Sequence, residues 1–282
     1  MNNFNIQNFV KDLHKWNYEG NLDKSLEDYC KEKNISLEKE DKFSILYALA
    51  DTDFFGNLFL IGHSLEDISS DEEVFLNLIN HLINKIGNDL GGGEIEKFLI
   101  NFGEKHPDLG VSLFKKMLEK SELMIQYASH PLGGVGRSNK LKIDSFIQQL
   151  FESQEPLRRI CAIRTLRIQH HNQKIQNLDF ILNILKKGAR DEDILVKQES
   201  LGTIIDFYDQ APVFCKENIV RLSKENQNFK FLIVKQFWAH PISNKIDMMD
   251  ILQICVEDNS QVRHNAFYAL SNLVDEFPEK IM

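Results

Sequence analysis

The chain is poor in the residues that build sheets, redox pairs and membrane anchors. Valine and threonine are sparse beside leucine, isoleucine, lysine, glutamate, asparagine and phenylalanine, which argues against a sheet protein. Its four cysteines, Cys30, Cys161, Cys215 and Cys255, lie far apart and form no C-x-x-C pair. Reduced, mostly buried thiols of a cytosolic protein are expected from that spacing. Glycine (14) and proline (6) are too few for fibrous or linker-like character. No apolar run reaches the roughly 18 residues that a spanning helix needs, and Met1 to Lys15 contains no apolar signal-peptide core. The expectation is therefore a cytoplasmic protein with no membrane contact. Positive charge is also short: 33 lysines and arginines face 42 acids, a net charge of −9. Such a chain repels nucleic acid and anionic membranes on average, so either contact would need a local basic patch.

Catalytic and metal motifs are missing as well. There is no Gly-x-Ser-x-Gly elbow and no His-Glu-x-x-His. His63, His81, His106, His130, His240 and His264 have no i, i+4 histidine partner, and the adjacent His170 and His171 point to different helix faces. No catalytic residue, metal ligand or cofactor is assigned from the sequence.

What the chain does have is helical periodicity. Its 282 residues, 43% hydrophobic and 27% charged, suffice for one or two ordinary domains or one elongated repeat array. One pattern, apolar–basic–x–x–small–x–x–small–apolar, recurs. It reads Val262, Arg263, Ala266, Ala269, Leu270 near the end, and Val196, Lys197, Ser200, Thr203, Ile204 earlier. Looser copies are Phe229, Lys230, Ile233, Gln236, Phe237 and Arg158, Arg159, Ala162, Thr165, Leu166. The basic positions 159, 197, 230 and 263 are spaced by 38, 33 and 33 residues. In the copy at 196, Leu201, Ile204, Ile205 and Tyr208 make one apolar helical stripe. The small residues, such as Ser200 and Ala266, allow a neighbouring helix to approach closely. Before each copy comes another apolar helix, marked by Ile147 and Leu150, Ile181 and Ile184, Ile219 and Leu222, then Ile251 and Leu252. Short polar turns such as 190–193 and 257–260 separate the two, and their Asp and Ser suit helix N-caps. The reading is all-α: helical hairpins of about 33–38 residues, repeated four times.

These residues resemble the HEAT repeat family, part of the wider armadillo-like class, in which the second helix opens with Val-Arg after an Asp-containing turn. Asp258 with Val262 and Arg263 matches best, and Asp193 with Val196 and Lys197 comes next. The resemblance covers residues 143–277. Its period of 33 is shorter than the ~40 usual for HEAT. Tetratricopeptide and ankyrin signatures are absent. The resemblance implies an α-α superhelix, or solenoid, whose concave face holds a protein partner, as a scaffold or other non-catalytic binding module. The stretch from Asp258 through Leu273 to Pro278 is also similar to a repeat of the HEAT-like alkylpurine DNA glycosylases, which implies the alternative of a DNA-binding enzyme. No catalytic Asp of that group carries over, and the chain is acidic and poor in tryptophan.

The first half reads as helices near 22–33, 41–51, 72–87, 94–104, 107–119 and 122–129, continuing the same stack as diverged hairpins over residues 1–130, with the repeats in 131–282. Pro107 is placed in a first helical turn. The segment His130-Pro131-Leu132-Gly133-Gly134-Val135-Gly136 reads as an inter-helix loop, and its glycines with Arg137 resemble a weak anion cradle. The array runs to Met282 with no evident capping helix, so that end is expected to stay exposed or to pair with another subunit. The sequence sets no oligomeric state.

One stretch stands out by charge. Arg158, Arg159, Arg164, Arg167, Lys174, Lys186, Lys187 and Arg190 give eight positive charges between 157 and 190, against one acid, Asp179. On one surface they would attract a phosphate backbone or an acidic protein. The ordinary alternative is a solvated face offset by acidic helices packed beside it. Trp238 ends a repeat helix, either as a hairpin-end core residue or as an aromatic lining a groove.

Overall fold

In a computed structural model, the described residues are 5–21, 24–52, 57, 60–61, 63–64, 72–86, 92–138, 142–170, 177–239, 242–256 and 260–271. They form helices and turns, with no strand among them. None of these helices is long and apolar enough to cross a membrane. The chain divides into two compact units, Met1–Ile143 and Asp144–Met282.

The first unit holds α1 (Ile6–Tyr18), α2 (Leu26–Lys33), α3 (Lys39–Ala50), α4 (Glu72–Ile86), α5 (Gly92–Lys105), α6 (Pro107–Leu118), α7 (Glu122–Tyr127) and α8 (Ser129–Arg137). Most follow the sequence periodicity, and Pro107 does open α6. Helix α1 lies outside the helices read from the sequence. Asn5 caps it by accepting from the Asn8 amide, and Phe9, Val10, Leu13 and Trp16 form its buried stripe. The capping box of α2 is complete: the Ser25 hydroxyl accepts from the Asp28 amide, and the Asp28 carboxylate accepts from the Ser25 amide.

Helix α8 overturns the loop expected at 130–136. Pro131 sits in its first turn, where no amide bond is lost. Residues 129–136 are all buried. Glycine is a poor helix former, so tertiary packing must hold this segment. The packing is visible at backbone level. A Cβ on Gly134 would lie 2.0 Å from the Ile100 carbonyl oxygen of α5, and one on Gly103 would lie 2.1 Å from the Pro131 carbonyl oxygen. Helices α5 and α8 thus meet backbone to backbone, and α6 joins them where Gly110 faces Val135. The glycines that resemble an anion cradle in the sequence make a helix–helix contact.

The second unit holds α9 (Asp144–Phe151), α10 (Pro156–His170), α11 (Leu178–Gly188), α12 (Ile194–Asp206), α13 (Pro212–Glu225), α14 (Gln227–Ala239), α15 (Lys245–Val256) and α16 (Ser260–Ser271). Within it α10 packs on α12, α12 on α14 and α14 on α16, while α13 packs on α15. The repeat positions carry these contacts. Ala162, Ser200, Ile233 and Ala266 are fully buried at the first small position, and Thr165, Thr203 and Ala269 at the second. Ser200 makes room as its pattern suggests: a Cβ on Gly188 of α11 would lie 2.2 Å from its hydroxyl. Asp193 caps α12 by accepting from the Leu195 and Val196 amides. The equivalent turn at 257–259 lies outside the described residues.

All four cysteines are buried and unbridged. Burial pushes the thiols of Cys161, Cys215 and Cys255 up to about 12. Two outcomes follow. A thiol reagent at pH 8 should label none of these three in the folded chain and all of them in denaturant. A thiol whose pKa is raised by folding favours the folded state below its unfolded value near 9, and this contribution disappears as pH climbs toward 12. The second unit, which holds all three, should therefore lose stability over that alkaline interval. Cysteine-to-alanine variants should flatten the loss.

Candidate functional site

The basic stretch is partitioned by the fold. Four of its five arginines, all but Arg190, lie on α10, which has no acid of its own. Arg158 pairs with Glu155 one turn back, at 2.8 Å. The other three reach acids contributed from beyond α11. Arg159 makes a two-point bond to Asp191, with Nε to Oδ2 and Nη2 to Oδ1 both at 2.9 Å. Its Nη1 also donates to the Ser153 and Gln154 carbonyls. Arg164 donates to Glu199 of α12 at 2.8 Å, and Arg167 pairs with Asp206 at the end of α12. The Arg159–Asp191 pair is almost closed to water, with side chains 12% and 10% exposed. Arg159, Arg164 and Arg167 thus tie α10 to α12 and to the turn before it.

Lys186, Lys187 and Arg190 are exposed, and among the described residues no ion pair engages them. The two lysines sit in the last turn of α11, where cations suit the helix dipole. Lys174 lies outside the described residues. The stretch is therefore two groups: neutralised arginines between α10 and α12, and open cations at the end of α11. Half-buried His170 lies edge-on to Phe207, and burial holds its pKa below the usual imidazole range.

Similar ties recur along the unit. Lys197 reaches Glu225 at 3.1 Å, and Arg221 donates to the Ala189 carbonyl at 2.7 Å. Lys216 bonds both Asp247 (2.6 Å) and Asp250 (2.9 Å), joining α13 to α15. These contacts raise the Lys216 pKa and lower that of Asp247. Asp209 accepts from the Ser243 amide and hydroxyl. Apart from Arg167 and Asp206, the partners are separated by 28 to 35 residues, close to the sequence period.

Trp238 is not core. It is 58% exposed on α14. Phe231 on the same helix and Tyr268 on α16 are exposed too. The sequence reading missed these two. Their signal lies in the repeat frame: Phe231 directly follows the basic position, where the copy at 197 has Gln198, and Trp238 stands where that copy has the buried Ile205.

One arrangement has the composition of a hydrolytic triad. The Ser129 hydroxyl lies 3.5 Å from His130 Nδ1, and His130 Nε2 lies 3.7 Å from Glu96. The geometry is wrong for catalysis. Ser129 is fully buried, and His130 Nδ1 also faces the Tyr127 carbonyl at 3.0 Å, which calls for a proton on that nitrogen. A protonated Nδ1 leaves no lone pair there to take the serine proton. No group of three or more His, Cys, Asp or Glu side chains is placed to hold a metal among the described residues. Comparison with known proteins finds no matching family model, no matching characterised protein and no matching solved structure.

Proposed function

We propose that residues 144–282 form a short solenoid of HEAT-like hairpins, and that the chain is a non-catalytic module that binds a protein partner. The order of packing supports the architecture: α10, α12, α14 and α16 contact one another in sequence, with ties spaced by about one period. The binding role rests on one observation. The outer sides of α14 and α16, equivalent helices of adjacent hairpins, expose Phe231, Trp238 and Tyr268. Large aromatics held in water are a common mark of an interaction surface.

The DNA reading draws less support, because the arginines that suggested it are matched by Glu155, Asp191, Glu199 and Asp206. Reversing those arginines would test folding rather than binding. The suitable variant is Lys186→Glu with Lys187→Glu. Duplex DNA followed by fluorescence anisotropy should show no salt-sensitive binding to the wild type. Binding that falls with salt and disappears in the lysine variant would replace the protein-partner reading. The direct test is retention of a discrete protein from a lysate of the source cell by the immobilised chain. The triple variant Phe231→Ala, Trp238→Ala, Tyr268→Ala should retain none. Equal retention by both, or none by either, would overturn the proposal.

A further inference from the structure

We propose that the exposed face of α14 and α16 binds an acidic peptide segment carrying its own apolar side chains. This rests on the protein-binding reading and names the partner's chemistry.

Three observations meet at this face. The first is geometry. Phe231, Lys235 and Trp238 are the exposed residues at i, i+4 and i+7 of α14. They form one stripe that places the two rings roughly 10 Å apart along the helix, with the ammonium between them. On α16, exposed His264 and Tyr268 stand one 33-residue period after Phe231 and Lys235, and Arg263 is exposed beside them. The two helices pack together, so the stripes are neighbours, roughly 8–10 Å apart.

The second is charge. Neither Gln227–Ala239 nor Ser260–Ser271 contains an aspartate or a glutamate. In a chain with 42 acids and a net charge of −9, two adjacent acid-free helices are an electropositive window. Helix α12, the preceding one in the series, has Glu199 and Asp206, but both are engaged by the arginines of α10. The third is residue type. Tryptophan, tyrosine and arginine are the residues that most often carry binding energy at protein interfaces.

An acidic peptide with apolar anchors uses both features of the window, carboxylates on Lys235 and Arg263 and apolar groups on the rings. A nucleic-acid strand fits less well. It needs a run of cations along its backbone, whereas the described residues of α14 and α16 expose only Lys235 and Arg263 among their lysines and arginines. The Tyr268 ring also stands edge-on to His264, at 5.1 Å and 87°, which blocks one of its faces to a stacking base.

The test uses the full chain and three labelled probes, read by fluorescence anisotropy. They are a short peptide of aspartate, glutamate, leucine and phenylalanine, the same peptide with lysine for every acid, and oligothymidylate. The acidic peptide should bind, weaken as salt rises, and lose at least ~10-fold in affinity with Trp238→Ala and again with Lys235→Glu plus Arg263→Glu. The replaced side chains are exposed, so unchanged helicity and melting temperature separate lost binding from lost folding. Binding of the lysine peptide as tight as that of the acidic one would overturn the proposal. So would tighter binding of oligothymidylate, or no binding of the acidic peptide. In that last case, a protein still retained through the aromatic face would leave the broader reading in place with a different partner.

Discussion

Replacing Gly134 with alanine is expected to lower the stability of the first unit by about 3 kcal/mol, a large loss for one methyl group. Helix propensity taken alone gives the opposite sign, since Gly to Ala in a helix gains roughly 1 kcal/mol. Packing decides the outcome. The added Cβ would lie 2.0 Å from the Ile100 carbonyl oxygen and 3.0 Å from the Glu104 nitrogen, both backbone atoms that no rotamer change can move. Helices α5 and α8 would have to separate, and the apolar contacts around Phe102, Leu132 and Val135 would open with them. Urea unfolding followed by emission of Trp16, whose indole nitrogen donates to Glu32 at 3.0 Å, reports on this unit. Gly93→Ala is the control. It lies on the same α5, but no atom is within 4 Å of its added Cβ, so it should be neutral or slightly stabilising. A Gly134→Ala chain as stable as the wild type would show that α5 and α8 do not touch along their backbones.

The second large effect belongs to Arg159. Removing its side chain by Arg159→Ala should destabilise the second unit by roughly 3–5 kcal/mol, the range for breaking one half of a buried pair. Asp191 would be left as a charge only 10% exposed, with the Ser153 and Gln154 carbonyls also losing a donor. Arg159→Lys should recover only part of this, because an ammonium cannot reproduce the fork that meets both carboxylate oxygens. The double variant Arg159→Met, Asp191→Leu should lie closer to the wild type than Arg159→Ala does, since no buried charge remains. By contrast Arg158→Ala should cost less than about 1 kcal/mol, because its pair with Glu155 is open to water. Equal losses at 158 and 159 would refute the distinction between the two arginines.

How far the sequence carries depends on whether the deciding contact is local. The helix around Val196 is legible because its cap, its apolar stripe and its small residues all lie within one turn or two of each other. Helix α8 is not. Three glycines and a proline in eight residues are the local marks of a loop, and only the backbone of α5, about thirty residues away, makes them a helix. The charge of the arginine stretch was visible from composition, and so was the alternative that acidic helices offset it, but which acids do so was not. Asp191, Glu199 and Asp206 stand one hairpin later, and nothing local tells a side chain which helix it will face. Trp238 was left open between core and groove for a related reason. Ile205 is buried and Trp238, 33 residues later at the matching pattern position, is exposed, and no neighbour in the sequence separates the two.

The even spacing of the ties also bears on how fast this unit folds. Apart from Arg167 with Asp206, these ties within the second unit each close a loop of 28 to 35 residues. The closure entropy is then nearly the same at every step, since it grows only with the logarithm of loop length. Folding should proceed as a zipper that can start at any hairpin and recruits its neighbour in either direction. The long search that slows sheet proteins, whose partners lie far apart in the chain, does not arise.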